Sequence, residues 1–282
     1  MLPVKKIYVD SKYKTADSIS DSNFKFQLPQ TCYMPDDTKF YISDVCIPHT
    51  WNTINDFNSK LYLRIFYTGG PNVGQPHEDY ILDLNQKSYI GTTFATMLKS
   101  KIQEKLPSIT TIQCTFDSTT NKLSLTINAD ILFQFLTDKE LIQDTIGANN
   151  YAWNGTTYDK NDLKSANNII SNTQNSSIAH DNTHPFNNHL NLQPIRNLYL
   201  HSPNLGSFQT LGARGEQTII KKIPVSSNQG EMIFSDYNPG SADMLDCSKQ
   251  TLRQIDFRLT NVDGIEVPLN SCHCSFSIVF NN

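Results

Sequence analysis

The chain has 282 residues, of which 38% are hydrophobic, 10% aromatic and only 18% charged, and its formal net charge is -4. This length allows a substantial buried core, either in one large domain with an insertion or in two small domains. The slightly acidic balance, with a pI near 5.9, provides no general attraction to nucleic acid or to anionic lipid, so we expect no direct nucleic-acid partner.

The lack of long apolar stretches and the spacing of the cysteines limit the class of protein further. No stretch approaches the roughly 20 apolar residues of a membrane-spanning helix, and no apolar signal core follows Met1–Lys6, so we expect a soluble protein made in the cytosol. The six cysteines lack the spacing of a disulfide framework, and we expect reduced, buried thiols. These cysteines are Cys32, Cys46, Cys114, Cys247, Cys272 and Cys274.

The first part of the chain, 1–79, alternates apolar and polar residues as half-buried strands do. Pro29 and Pro48 follow two of these runs and are typical of strand ends. The sequence Gly69-Gly-Pro-Asn72 predicts a turn after the last run. The predicted strands are 6–10, 23–28, 39–47 and 61–67. We assign all of them to a β-sandwich.

The pattern changes over 80–148. Apolar residues recur at helical spacing after Gly91, and Thr137-Asp-Lys-Glu140 has the sequence of a helix-starting capping box. The predicted elements are a short strand (80–84), a helix ending before Pro107, a hairpin (111–116 with 122–127) and a short helix stopped by Gly147. Together they predict a small α+β insertion.

The next segment, 149–191, is rich in Asn and poor in apolar residues. Such a segment has little apolar surface to offset the entropy of ordering, so we expect an exposed, partly mobile loop. Trp153 and Tyr158 are the exceptions and are expected to anchor it. Glycosylation patterns begin at Asn154 and Asn175, and we interpret both as chance matches because no secretion signal accompanies them.

The final segment, 192–282, returns to strand patterns. Leu252–Thr260 and Ser275–Phe280 each alternate, and Asn261–Gly264 between them supplies turn residues. We predict two long strands that are neighbours in sequence only. About eight strands joined by long loops predict an all-β sandwich of Greek-key or jelly-roll topology, with the α+β insertion and the long Asn-rich loop.

Candidate chemistry is sparse. In a strand, Cys272 and Cys274 would face the core while His273 faced the other side, so the triplet forms neither a nucleophile pair nor a metal site. We expect three loop histidines, His180, His184 and His189, to be solvent-exposed. The sequence therefore predicts no enzyme, and no catalytic, cofactor-binding or metal-binding residues.

Aromatic residues offer one alternative function. Trp51, Tyr62, Tyr67, Trp153 and Tyr158 could stack on sugar rings, as in a carbohydrate- or receptor-binding jelly-roll module. In β-sandwiches such residues also fill cores and interfaces. The sequence leaves both roles open.

Six segments, taken in order, resemble those of a known family: Ile7–Ser11, Ile42–Trp51, Leu198–Gly206, Ile219–Val225, Gly230–Phe234 and Leu252–Thr260. Together they look like the minor capsid, or penton, proteins of Polinton/Maverick elements, adintoviruses and related virophages. The resemblance spans most of the chain and is densest from Asn197 to Phe280. It does not include the Asn-rich loop.

The resemblance implies a structural virion protein. Such proteins are single jelly rolls that assemble as homopentamers at the icosahedral vertices and contact a double-jelly-roll major capsid protein. An insertion projects outward in related pentons, so 80–191 is the candidate to project here and to bind a host surface receptor. Synthesis is then expected in the host cytoplasm and the final location in the virion. Charged residues near the roll, Lys221 and Lys222 with Glu216 and Glu231, are candidates for ion pairs between neighbouring subunits, or simply for a solvated face.

Overall fold

The computed structural model describes residues 2, 4–68, 77–127, 130–143, 150–153, 156–159, 162–172, 183–205, 209–236 and 244–281. The helices are α1 (Gly91–Lys105) and α2 (Asp138–Gln143), and a short 3-10 turn covers Ser11–Tyr13. The strands are β1 (Lys6–Asp10), β2 (Asn23–Tyr33), β3 (Lys39–Pro48), β4 (Lys60–Tyr67), β5 (Glu78–Asp83), β6 (Ile112–Asp117), β7 (Lys122–Ile127), β8 (Ile131–Phe135), β9 (Asn150–Trp153), β10 (Thr156–Asp159), β11 (Thr183–Pro185), β12 (Asn197–His201), β13 (Ile219–Pro224), β14 (Met232–Ser235), β15 (Leu245–Asp246), β16 (Thr251–Thr260) and β17 (Ser275–Asn281).

The chain divides into two compact units. The jelly-roll unit comprises Met1–Trp51 and Ile195–Asn282, and the inserted unit comprises Asn52–Pro194. The insertion thus starts at Asn52, whereas the sequence pattern placed its start at Tyr80. The reason is that β4 pairs with β5 and β8 and not with the roll. Alternation identifies a strand but not its partner.

The jelly-roll unit contains one five-stranded and one four-stranded sheet. The first sheet has the order β1-β17-β3-β14, with β15 also paired to β3, and the second has the order β13-β12-β16-β2. Along the roll, β1, β2, β3 and β12 alternate between the two sheets, β12 and β13 form a pair within the second sheet, and the chain then returns to the first sheet at β14. This strand order is that of a jelly roll. The predicted fold class is confirmed. The long strands β16 and β17 are consecutive in sequence and lie in different sheets, as predicted.

The core of this unit lies between the inner faces of the two sheets. Phe257 of β16 packs at 4.9 Å from Phe276 of β17 and at 5.4 Å from Phe24 of β2, measured between ring centroids. These rings belong to one buried cluster that draws on every strand of the roll. After β16 the chain reverses at Gly264, whose φ of 72° suits glycine, so the predicted turn is present.

The inserted unit has its own core. Its sheets have the orders β5-β4-β8 and β11-β7-β6, and β9 pairs with β10. The apolar face of α1, including Phe94, Leu98 and Ile102, is fully buried in the core cluster of this unit. The predicted β6–β7 hairpin is present. The capping box is also present: the Thr137 amide donates to Glu140 Oε2 at 2.8 Å, and the Glu140 amide donates to Thr137 Oγ1 at 3.2 Å.

The Asn-rich segment is only partly the exposed loop that its composition predicts. Over 162–172 the apolar residues Leu163, Ala166, Ile169 and Ile170 are buried. Asn167, itself 2% exposed, donates from Nδ2 to the Leu136 carbonyl at 2.9 Å and to the Asp138 carboxylate at 2.7 Å. Side-chain amides here bind backbone carbonyls, so a segment with few apolar residues can still pack.

Other expectations for the inserted unit have separate outcomes. Trp153 is an anchor as predicted, since it is buried and lies 4.9 Å from Tyr62 in an edge-to-face arrangement. The predicted turn at 69–72, the Gly147 stop and the glycosylation pattern at Asn175 lie outside the described residues. Within the described ranges, neither helix combines the length and apolar character needed to cross a membrane.

Replacing Asn167 with Ala tests the role of the buried amide. The change leaves the Leu136 carbonyl buried without its donor, and we expect it to lower the free energy of unfolding by about 1–3 kcal/mol. Chemical denaturation measures this loss. Asn187→Ala, at an exposed position of the same segment, is the matched control and should change stability by less than about 0.5 kcal/mol. Equal effects from the two variants would contradict the assigned role.

Candidate assembly surface

The aromatic residues considered for sugar stacking do not form a surface platform. Trp51 is 3% exposed, Tyr62 0% and Trp153 5%, so their rings belong to the cores of the two units. Tyr67 and Tyr158 are half-buried. A ring inside a core offers no face to a sugar, and the structure gives the carbohydrate-binding alternative no support from these residues.

The Cys-His-Cys triplet differs from its predicted arrangement. Cys274 is buried, but Cys272 is exposed, so the expectation that both thiols face the core is wrong for Cys272. The reason is that β17 begins only at Ser275, and strand alternation does not apply before it. His273 lies 3.0 Å from Asp21, between Nδ1 and Oδ1.

The described residues also show no cluster of potential metal ligands. Among the described residues, no group of three or more His, Cys, Asp or Glu side chains is placed to hold a metal ion. His189 is exposed, as predicted. His180 and the side chain of His184 lie outside the described part of the chain. The absence of functional metal or catalytic residues stays a prediction.

The charged residues proposed for subunit contacts have local partners. Glu216 Oε2 accepts from the Arg214 amide at 3.0 Å, and Glu231 Oε2 accepts from the Asn228 amide at 2.8 Å. Lys221 is 9% exposed, whereas Lys222 is exposed. The two glutamates thus order their own loops, and ion pairs between subunits stay a prediction.

Two histidines of the jelly-roll unit are buried. His201 lies between two hydroxyls, with Nδ1 3.1 Å from Thr218 Oγ1 and Nε2 3.0 Å from Thr260 Oγ1. His49 Nδ1 donates to the Ser227 carbonyl at 2.9 Å, and its ring is 4.2 Å from that of Trp51. Burial lowers the pKa of both imidazoles, because the charged form loses hydration.

The first sheet has an open edge at β1. In the described part of the chain, β1 pairs only with β17. The Phe280 amide donates to the Lys5 carbonyl at 3.0 Å, and the Ser11 amide donates to the Cys274 carbonyl at 2.9 Å. Because hydrogen-bonded positions alternate in an antiparallel pair, the amides and carbonyls of Lys6, Tyr8 and Asp10 are directed to the open edge.

Polar and aromatic groups cover the outer face beside this edge. Tyr8 is 73% exposed. The Lys6 ammonium lies 5.0 Å from the centroid of the Tyr8 ring and 2.5 Å from Asp44 Oδ2. Asp44 has a φ of 51° and lies at a shift of register between β3 and β17. This bulge turns the carboxylate outward to Lys6.

An open groove of about 500 Å³ runs beside β1. Its lining includes Tyr8 and Tyr13, which are exposed, and Phe26 and Gln27 of β2. β2 is the edge strand of the second sheet, so the groove lies where both sheets end on the same side of the roll. Exposed aromatic rings at the border of a groove are typical of protein-binding surfaces.

The opposite edge of the first sheet is β14. It pairs only with β3 among the described strands, and the His49 amide donates to the Glu231 carbonyl at 2.9 Å. By the same alternation, the backbone groups of Met232 and Phe234 are directed to the open edge. The side chains of these two residues are 38% and 67% exposed. Both edges thus combine free backbone groups with exposed apolar side chains.

Sequence reasoning missed these two edges, although a signal was present. Tyr8 stands between Ile7 and Val9, and Phe234 follows Ile233, so each aromatic ring has the parity of the outer face. An aromatic residue at an outward position of a strand indicates either a neighbouring loop or a partner. The sequence does not identify which strands are at the edges.

The fold places this chain among single jelly-roll proteins. The connection between β3 and β12 carries a separate inserted unit. Among solved structures, the selenomethionine-labelled mavirus penton protein is similar to this chain, with a TM-score of 0.53 and 9% sequence identity. The similarity covers 99% of this chain and 99% of the penton chain. No protein-family profile matches the sequence, and no curated protein matches it. At this identity the likeness establishes the fold.

The buried histidines predict an acid-sensitive jelly-roll unit. The unfolded chain takes up protons at the ordinary histidine pKa of about 6.5, whereas the folded state resists protonation of His201 and His49. The contribution of these two histidines to stability is therefore constant above that pH and falls as the pH drops below it, because the unfolded state then binds more protons. Urea denaturation from pH 7.5 to 5.5 measures the slope.

A matched pair of variants assigns this slope. We expect His201→Gln to reduce it, because one buried titrating group is removed. His189→Gln, at an exposed position of the inserted unit, is the control for replacing a histidine outside the core of the jelly roll. The assignment is wrong if the His201→Gln protein loses stability with acid as steeply as the wild type.

Proposed function

We propose that this protein is a minor capsid, or penton, subunit that forms homopentamers at the vertices of an icosahedral virion. The observation that carries the proposal is the similarity over almost the full length of both chains, roll and inserted unit together, to a penton protein. A jelly roll alone occurs in many functional classes. A similarity that covers 99% of both chains, and so is not limited to the jelly-roll unit, is a narrower likeness.

The surface of the jelly-roll unit is consistent with ring formation. A closed ring is built from heterologous contacts, in which one patch of each subunit meets a different patch of the next. The open edges β1 and β14 are two such patches on opposite sides of one sheet. A structural role of this kind requires no catalytic group, so we propose that the protein is not an enzyme.

The proposal has finer parts. The partner in the shell would be a double-jelly-roll major capsid protein, and the lineage would be that of Polinton/Maverick elements, adintoviruses and virophages. The support is the ordered set of six sequence segments that resemble those pentons. We further propose that the inserted unit, which has its own core, faces outward and binds a host surface receptor, and that the protein is made in the host cytoplasm before it enters the virion.

Light scattering on the purified protein tests the assembly. We expect a species of five times the 31.9 kDa chain mass, and negative-stain images of that peak should show five-membered rings. Mixing with a candidate major capsid protein should shift the peak further. A protein that stays monomeric at high concentration and in that mixture would exclude the penton role.

A further inference from the structure

The two open edges of the first sheet run in opposite directions. Each neighbouring pair in the order β1-β17-β3-β14 is antiparallel. Consequently β1 and β14 are antiparallel to each other. Rotation about an axis along the strands leaves strand direction unchanged, so β1 of one copy can meet β14 of the next as an antiparallel pair.

Backbone geometry restricts the register of such a pair. The free amides and carbonyls belong to the even-numbered residues on both edges, Tyr8 with its neighbours on β1 and Phe234 with its neighbours on β14. An antiparallel ladder needs free positions to stand opposite free positions. Placing Tyr8 opposite Phe234 satisfies this condition. It also brings two exposed aromatic rings onto the same outer face, where cross-strand aromatic pairs are favourable.

Charge supports the same register. With Tyr8 opposite Phe234, Lys6 stands opposite Asp236, which is exposed and directly follows the last residue of β14, so this pair requires the new ladder to extend one residue beyond Ser235. The Lys6 ammonium already binds Asp44 on its own subunit, and the second carboxylate would complete a carboxylate–ammonium–carboxylate set. A register shifted by two residues would place Lys6 opposite Phe234 and lose the opposite-charge pair.

We propose that neighbouring subunits join by antiparallel pairing of β1 with β14, with Tyr8 opposite Phe234 and Lys6 opposite Asp236, so that the first sheet continues from one subunit into the next. This inference rests on the proposed function, because it names the contact within the ring. It gives both edges a partner of the same kind, a second copy of this chain. It also places the exposed side chains of Tyr8 and Phe234 against each other instead of leaving both in water.

Disulfide trapping tests the register. In a hydrogen-bonded antiparallel pair, Cα atoms are about 5.5 Å apart, within the roughly 4.4–6.8 Å that a disulfide spans. The variant carries Lys6→Cys and Asp236→Cys and keeps Tyr8 and Phe234. We expect mild oxidation to yield a ladder of covalent species up to five chains on a non-reducing denaturing gel.

Three controls accompany the disulfide trapping. The variant with Asp10→Cys and Asp236→Cys uses the same edges with an offset of four residues, about 14 Å, and should not cross-link. The oxidised wild type measures the background from native cysteines such as exposed Cys272. Single variants Lys6→Cys and Asp236→Cys should cross-link only when mixed, because the contact is heterologous. Cross-linking of either single variant on its own would contradict a heterologous contact.

A second pair of variants tests the contact without cysteines. Phe234→Lys places a cation opposite Tyr8 and beside Lys6. We expect the protein concentration needed for half-maximal assembly to rise by about tenfold or more. Leu211→Lys changes a side chain that is 76% exposed in a loop of the same unit and should assemble as the wild type does. Light scattering over a concentration series measures both.

The outcomes separate this inference from the proposed function. Five-membered rings that show no cross-link through residues 6 and 236, and no effect of Phe234→Lys, would overturn the edge contact and leave the penton role standing. A monomer under all conditions would overturn both. Rings with the expected ladder and the selective loss on Phe234→Lys would establish the contact.

Discussion

The structure depends on one constraint: two sheets must bury their apolar faces against each other, and neither sheet can be built from one continuous stretch of chain. Phe257 and Phe276 illustrate it, because they come from consecutive strands yet meet across the core at 4.9 Å. The last strand, β17, must therefore insert between β1 and β3. The first and last segments of the chain become neighbours, and every other strand of the roll is placed around this closure.

This closure tolerates a long insertion. The connection between β3 and β12 holds the entire unit from Asn52 to Pro194, because the entropy of closing a loop rises only slowly with its length and because that unit buries a separate core. A two-sheet roll also leaves edges open. The free backbone groups of Tyr8 and Phe234 are the direct product of that topology.

The sequence predicted much of the fold because its signals are local. Alternation in β16 and β17, the helical spacing of α1 and the capping box at Thr137 each involve residues close along the chain. Contacts between residues far apart in the sequence could not be predicted as well. Strand β4 was identified, but not its pairing with β5 and β8. The packing of Asn167 was not predicted, because composition does not reveal which distant backbone carbonyl accepts a hydrogen bond from its side-chain amide. The edges of the roll were missed for the same reason.

The placement of the insertion has a consequence for synthesis on the ribosome. All strands and helices of the inserted unit are contiguous in the chain, so each finds its partners as soon as residue 194 has emerged. The roll cannot complete its first sheet until β17 has been made and becomes available to β1. The inserted unit can thus fold first, while β1 to β3 still lack their partner strands and expose their apolar faces. Such a nascent chain would need protection from aggregation during the whole time between β3 and β17.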